Sequence, residues 1–355
     1  MTITKAIASA VCCSLLALSG AALAGDLKVG GGLRTSFGMV DGGAPNGVDD
    51  STDFTLESVR LYTSGTIKDD IGFTFNTGYE NATNSVEVLD AIARFEFSDE
   101  FNVWAGRFLP PSDRSNFSGP YFLGAWNFPI LVQRYPNVFA GRDEGVAVWG
   151  QRSGGKFKYQ LGLFEGPDAL VNSGEDETLF AGRLTFNFLD AEPGYYNSST
   201  YFGDKEIFAV GLVLQNFDGG SGNNIDVLYE KALGAGTLTL EASIYSYDEF
   251  AGSDGDGSFF LASYLFPNNW QPTFRIQNAD IDTFVSADPT TVPPTPSAII
   301  DRPEVDITEV GLNYIIDGHN ARISIVYSNT ESESLGPTVP ATDSDAFIIG
   351  LQLQI

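Results

Sequence analysis

Phe347-Ile348-Ile349-Gly350-Leu351-Gln352-Leu353-Gln354-Ile355 closes the chain. Successive side chains on a β-strand point to opposite faces. Phe347, Ile349, Leu351, Leu353 and Ile355 therefore form one wholly apolar face, while Ile348, Gly350, Gln352 and Gln354 form the other. A sandwich strand could read the same way, so the weight lies in repetition. Phe180, Leu184, Phe186 and Phe188 oppose Ala181, Arg183, Thr185 and Asn187; Ala91, Ala93, Phe95 and Phe97 oppose Asp90, Ile92, Arg94 and Glu96. Leu238, Leu240, Ala242 and Ile244 oppose Thr239, Glu241 and Ser243, and Ala321, Ile323, Ile325 and Tyr327 oppose Arg322, Ser324, Val326 and Ser328. Charge recurs on the second face, which suits a wet lumen and not the dry interior of a sandwich.

Working outward, the pattern predicts sixteen strands, at 26–40, 52–68, 71–80, 86–97, 101–108, 143–152, 156–165, 178–189, 206–217, 224–231, 236–247, 258–266, 271–284, 305–316, 320–331 and 345–355. An even number of antiparallel strands is the rule for single-chain bacterial barrels, so the expected fold is all-β, a transmembrane antiparallel β-barrel. Connections on one rim are short, among them Asp69-Asp70, Ser98-Asp99-Glu100, Ser153-Gly154-Gly155 and Asp317-Gly318-His319. Those on the other are mostly long: Asp41–Ser51, Leu109–Arg142, Gly166–Glu177, Asp248–Gly257, Val285–Glu304 and Ser332–Ser344. Short periplasmic turns and long extracellular loops give this asymmetry. Asn81–Ser85 and Asp218–Asn223 are short on the long-loop rim, and Asp190–Lys205 is an unusually long turn on the other. Gly219-Gly220-Ser221-Gly222 and Ser253-Asp254-Gly255-Asp256-Gly257 read as turn chemistry, the latter as an exposed acidic loop rather than a calcium site. Aromatics near strand ends suggest two interfacial girdles: Phe95, Phe97, Phe101, Phe186, Phe188, Phe266 and Trp270 on the short-turn side, Tyr79, Tyr245, Tyr247 and Tyr327 on the other.

Residues 1–24 read as a cleaved secretory signal: Lys5, an apolar stretch from Ala6 to Leu18, and Ala22-Leu23-Ala24 as the cleavage site. The stretch is short for a transmembrane anchor, which needs ~20 residues. Cys12 and Cys13 lie inside the apolar region, without the small residues expected just before a lipidated cysteine. The remaining domain, 25–355, then holds no cysteine. With 46 acidic against 19 basic side chains and a net charge of −27, a nucleic-acid partner is excluded, because phosphate backbones demand a basic face. No later apolar run is long enough for a membrane helix, and a closed barrel is the other structure that satisfies every backbone group in lipid.

The longest connection, Leu109–Arg142, is apolar for a surface loop, with Pro110-Pro111, Phe117, Pro120-Tyr121-Phe122-Leu123, Trp126, Phe128-Pro129-Ile130 and Tyr135-Pro136. A segment this apolar must bury itself, and a wide barrel offers its own lumen; the alternative is packing on top of the barrel or against a neighbouring subunit. Arg107-Phe108-Leu109-Pro110-Pro111, Phe139-Ala140-Gly141-Arg142-Asp143-Glu144-Gly145-Val146 and Glu192-Pro193-Gly194-Tyr195-Tyr196-Asn197-Ser198-Ser199-Thr200-Tyr201 resemble the phosphate-selective porin O and P family, over most of the chain and more strongly in its first half. The resemblance implies a sixteen-stranded outer-membrane porin, usually trimeric, with the third loop as its constriction.

Phosphate selectivity does not carry over simply, because members that select phosphate line the pore with many Arg and Lys. Candidate lining residues here are Arg94, Arg107, Arg183, Arg275 and Arg322 on strands, with Arg114, Arg134 and Arg142 in the loop. The strand arginines could equally pair with Asp90, Glu96, Asp226, Glu230, Glu241 or Glu309 as ion pairs of the wall. Charge at the loops is acidic (Asp49, Asp50, Asp53, Glu175, Asp176, Glu177, Asp248, Glu249, Asp254, Asp256) and should draw cations. The expectation is a diffusion channel for small hydrophilic solutes and ions, general or weakly cation-selective. The same fold could instead be specific for phosphate or another small anion, an organic acid or a sugar, with Tyr121, Trp126 or Tyr135 offering stacking surfaces. The expected partners are outer-membrane lipids, two further copies in a homotrimer, and the barrel assembly machinery, for which Ile355 stands where an aromatic residue is usual. An enzyme is disfavoured: the one histidine, His319, sits in a tight turn, and no cysteine remains for a nucleophile or a metal. No cofactor is expected. A secreted β-sandwich binding protein is opposed by the charged inner face.

Overall fold

Alternation of β-branched, aromatic and small residues makes strands of most of the described residues. The computed structural model describes residues 27–80, 84–134, 141–166, 177–285, 298–336 and 340–355; the expected signal, 1–24, lies outside them. In order they form β1 (Leu27–Val40), β2 (Ser51–Lys68), β3 (Ile71–Glu80), β4 (Ser85–Ser98), β5 (Phe101–Phe108), the short helix α1 (Arg114–Ser118), a 3-10 turn (Ile130–Arg134), β6 (Asp143–Arg152), β7 (Phe157–Phe164), β8 (Leu179–Asn187) and β9 (Ile207–Phe217). The second half holds β10 (Gly220–Leu233), β11 (Gly236–Phe250), β12 (Ser253–Leu265), β13 (Trp270–Val285), β14 (Ala298–Ile300), β15 (Val305–Asp317), β16 (Ala321–Ser332) and β17 (Thr342–Gln354).

The wall strands pair antiparallel with their sequence neighbours, and β1 pairs with both β2 and β17, which closes the sheet. The three-residue β14 pairs with the end of β13 at Thr283–Val285, while β15 pairs with the body of β13, so sixteen strands make the wall. Closure leaves no edge of unpaired backbone groups, the condition for standing in lipid. The expected sixteen-stranded barrel is borne out.

The two faces invert the order of a soluble protein. On β9 the buried Ala209, Val213, Gln215 and Phe217 alternate with Phe208, Leu212, Leu214 and Asn216, which are exposed. Around the barrel the exposed positions carry Leu, Ile, Val and Phe, and the buried ones include Lys158, Arg183, Asp226, Glu230, Glu241, Arg275, Glu309 and Arg322. An apolar outside and a polar inside are what lipid without and water within require.

Two expected loops are strand instead. Asp218 and Gly219, with φ of 47° and 82°, join Phe217 to its partner Gly220. Ala251 and Gly252, at 47° and 81°, join Phe250 to Ser253. Two left-handed residues make the hairpin turn whose twist suits adjoining strands, so Gly220–Gly222 and Ser253–Gly257 lie in β10 and β12. Glycine, serine and aspartate there matched turn composition, but only two residues in each segment reverse the chain. The long-loop girdle also needs correction: Tyr245 and Tyr247 are 5% and 8% exposed and bond to the third loop. They share a face with Glu241 and Ser243, as strand parity dictates.

Candidate functional site

The third loop is built from its first helical turn. Asp113 caps α1 by accepting the N–H of Asn116 (3.0 Å) and also accepts the hydroxyl of Tyr245 (3.1 Å). Burial pushes its carboxyl pKa up. The backbone N–H of Arg114 donates to Asp226 (3.1 Å), Ser115 donates to Glu241 (2.9 Å), and Gln215 donates to the carbonyl of Pro111 (2.8 Å). Arg183 forks onto Asp226 (2.5 and 2.9 Å) and also reaches the Ser112 carbonyl (3.0 Å). This half of the loop is thus held by β8–β11.

The second half meets the opposite strands. Arg322 donates to the carbonyls of Leu123 (2.8 Å) and Ala125 (3.2 Å), Arg34 to that of Trp126 (2.5 Å), Arg275 to that of Asn127 (2.8 Å) and Gln352 to that of Tyr121 (2.9 Å). Gln277 accepts the N–H of Ile130 (2.9 Å). The Trp126 ring lies 4.0 Å from the Arg34 guanidinium carbon and 6.0 Å from that of Arg322. Gly32 and Gly350 leave the room these rings occupy: a Cβ there would stand 2.6 Å from Tyr121 and 2.5 Å from Trp126.

The long turn after β8 reaches the same place. Its Glu192 receives both terminal nitrogens of Arg114 (2.7 and 2.8 Å) and the Tyr201 hydroxyl (2.6 Å). The two charged side chains are 0% and 1% exposed, and Arg114 holds the Glu192 carboxyl below its ordinary pKa against the opposing push of burial. Ser118 and Ser199 hydroxyls lie 3.0 Å apart, and the Ser199 N–H donates to the Phe122 carbonyl (3.1 Å). Tyr195 stacks on Trp104 at 4.6 Å and tilts against Phe117 at 5.4 Å. His319 stays a turn residue: its ring nitrogens face the carbonyls of Thr200 (2.9 Å) and Tyr121 (3.3 Å), between the rings of Phe122 and Phe202. Burial lowers its pKa to about 4, so near neutral pH it carries one N–H, best shared with the nearer Thr200.

The candidate lining residues therefore divide. Arg114, Arg183, Arg275 and Arg322 are buried, bound to Glu192, Asp226, Glu309 and loop carbonyls. Each holds the third loop or a wall partner, and none is among the residues that line the cavity beside Asp90 and Arg142. Trp126, 1% exposed between two guanidiniums, offers no stacking surface either. Arg107 shares its face with Val103 and Ala105, and it pairs with Glu144 (2.7 Å) beside the exposed Val146. Strand parity turns it outward, away from the other arginines. Arg94 and Glu96 pair with each other at 3.4 Å on the inner face. The side chain of Arg134 and the whole of Tyr135 lie outside the described residues.

Arg142, Asp90 and Tyr121 come together. Arg142 donates to Asp90 (3.2 Å), and both line a cavity of about 610 Å³ between the β2–β4 wall, the third loop and the long turn. Arg60, Tyr62, Tyr196 and Lys205 line it too, and the sequence reading missed them. For Arg60 the signal was available: it stands in β2 on the face of Ser58 and Tyr62, between the outward Val59 and Leu61. Among the described residues Arg60 joins no salt bridge. At the loop rim charge is negative: Asp41 is held above its ordinary pKa by its hydrogen bond to Asp50 and by the charges of Asp50, Asp345 and Asp343.

Comparisons with known proteins place this geometry. The model of the family phosphate-selective porin O and P matches residues 27–201, so that stretch carries the family's sequence pattern and the resemblance is borne out there. No curated protein matches the chain in sequence. Among solved structures, OprB of Pseudomonas putida is similar with a TM-score of 0.60 at 10% identity, over 93% of this chain and 94% of that one. The anion-selective porin from Comamonas acidovorans aligns with a TM-score of 0.58 at 11% identity, over 93% and 100%. OmpT of Vibrio cholerae, an outer-membrane protein in its trimer form, aligns at 0.50 and 12%, over 94% and 100%. The chain has the porin fold and is a bacterial outer-membrane β-barrel of the channel class.

Proposed function

We propose that the protein is a diffusion channel for small hydrophilic solutes and ions, general or weakly cation-selective, working as a homotrimer after signal-directed export and insertion by the barrel assembly machinery. In this reading the third loop lies inside the barrel and narrows it, which its hydrogen bonds to inward-facing residues of β1, β8–β11, β13, β16 and β17 support. The cavity of about 610 Å³ beside Arg60, Asp90 and Arg142 carries the proposal, since it is the space left for a hydrated solute between loop and wall. The acidic rim concentrates cations, while Arg60 sets one positive charge against them and keeps the preference weak. The trimer rests on the likeness to OmpT. The test is single-channel recording of the purified mature protein in a planar bilayer under a KCl gradient. Discrete steps with a small cation-directed reversal potential are expected; absence of steps from a folded barrel would overturn the reading.

Arg60, which joins no salt bridge among the described residues, specifically favours a second reading, a channel selective for small anions. A strongly anion-directed reversal potential in the same recording would select it.

A further inference from the structure

The long turn between β8 and β9 does more than connect them. A turn on the short-turn rim normally needs only a few residues. Here the chain spends Phe188–Glu206 between two paired neighbours and buries much of it: Glu192, Tyr195, Asn197, Ser199 and Thr200 are at most 5% exposed. Its lower part is fixed to the wall by Glu230, which accepts from the Thr200 hydroxyl (2.7 Å) and the N–H groups of Tyr201 (3.0 Å) and Gly203 (2.8 Å). Its upper part is fixed to the third loop through Glu192–Arg114 and Ser199–Ser118. Glu241 accepts from both segments, Ser115 at 2.9 Å and Ser199 at 3.1 Å. Its remaining face, with Tyr196, Tyr201 and Lys205, lines the cavity.

The geometry points to this turn as the second wall of the constriction, clamped to the third loop by the Arg114–Glu192 pair, so that the width of the passage is set from the periplasmic rim as well as from the extracellular one. The inference rests on the channel reading above. The wall strands hold the third loop from one side; the separately anchored turn, bonded to Arg114 and Ser118, holds it from another. Arg114 and Glu192 are therefore positioning residues. A buried pair broken on one side leaves an uncompensated charge, which draws water or a counter-ion into the joint and loosens both segments together.

Three variants test this in planar bilayers. Glu192→Gln keeps the shape and removes the charge. Its channels should flicker and conduct roughly twofold more than the wild type, as a widened constriction requires. Adding Ser118→Cys and Ser199→Cys, whose hydroxyls lie 3.0 Å apart, should restore steady wild-type current on oxidation and lose it again on reduction. Steady wild-type current from a folded Glu192→Gln channel would overturn the clamp, as would high current persisting once mass spectrometry shows the disulfide formed. Should Glu192→Gln fail to fold, Lys205→Cys leaves the clamp intact. Attaching a bulky thiol reagent there should cut the conductance at least by half, and full labelling without a change in current would overturn the turn as a pore wall. A silent wild type beside a conducting Glu192→Gln would sink the open-channel reading and uphold the clamp; silence from both folded proteins would sink both.

Discussion

The two halves of the third loop are held in opposite ways. Residues 112–118 are bound mainly by charge against charge: Arg114 with Glu192 and Asp226, and Arg183 with Asp226 beneath them. Residues 121–127 are bound by guanidinium and amide groups on the wall that donate to the loop's own carbonyls. The first half depends on which side chains the loop carries; the second depends on the path of its backbone. The two should therefore fail differently. Asp226→Ala strands Arg183 and one side of Arg114 in a buried site, and a buried pair broken this way costs ~3–5 kcal/mol. A fall of that size in the unfolding free energy, followed by the heat-modified shift on gels, is the largest effect expected. A change below ~1 kcal/mol would mean that water reaches the pair and screens it.

In the second half the vulnerable point is a space rather than a charge. Gly350→Val places a Cβ 2.5 Å from Trp126. The ring must leave its seat between Arg34 and Arg322, at ~1–3 kcal/mol for overpacking. Stability should fall less than in Asp226→Ala, with altered single-channel conductance as the loop shifts. An unchanged conductance would mean that the backbone contacts alone fix this half. The volume-conserving Leu123→Met keeps the backbone carbonyl that Arg322 binds and should leave the conductance unchanged, at a cost below ~1.5 kcal/mol for the buried site.

The same division explains how much was legible in the sequence. Strand positions followed from the alternation of Phe180–Asn187 or Phe347–Ile355, because lipid outside and water inside enforce a period of two. The alternation fades beyond the apolar band, and there Gly220–Gly222 and Ser253–Gly257 passed for loops. Glu309 beside Arg275 was recognisable as a partner because the two face each other directly across β13 and β15, whereas Asp226 reaches Arg183 across β9, over Gly211. Arg114–Glu192 was not: the two are separated by 78 residues in the chain and meet through two irregular segments. No periodicity reports such a contact, and only the unusual length of Asp190–Lys205 hinted at it. Arg34 and Arg60 stood in plain alternation and were passed over.

Acid should separate the halves further. His319 touches the second half through the Tyr121 carbonyl and is held neutral, with its pKa lowered from 6.5 to about 4. A histidine whose folded pKa is depressed contributes stability that is present above the unfolded value and lost as pH falls toward the folded one. The loss should therefore fall between pH 6.5 and about 4, on the order of 2–3 kcal/mol at most. Glu192, also depressed, keeps its contribution until the pH drops below the ordinary carboxylate range. His319→Gln should flatten the first window and leave the second. A thermal-melt series against pH that stays equally steep from 6.5 to 4 in this variant would remove His319 from the account.

The smallest effect concerns the wall that the loop leaves uncovered. Where β2–β4 line the cavity the charges are Asp90, paired with Arg142, and Arg60, which joins no salt bridge among the described residues. A pair at 3.2 Å presents a dipole with little net field at a distance, whereas a lone guanidinium acts on every passing ion within a screening length of ~10 Å at 0.1 M salt. Arg60→Gln should leave stability near that of the wild type and move the KCl reversal potential toward cations by a few millivolts, more at low salt than at high. Neutralising the buried Arg322 should hardly move that potential, because Arg322 is bound to loop carbonyls and is not among the residues lining the cavity. If Arg322→Gln shifted selectivity and Arg60→Gln did not, the passage would run on the other side of the loop, and anchors and lining would have to exchange roles.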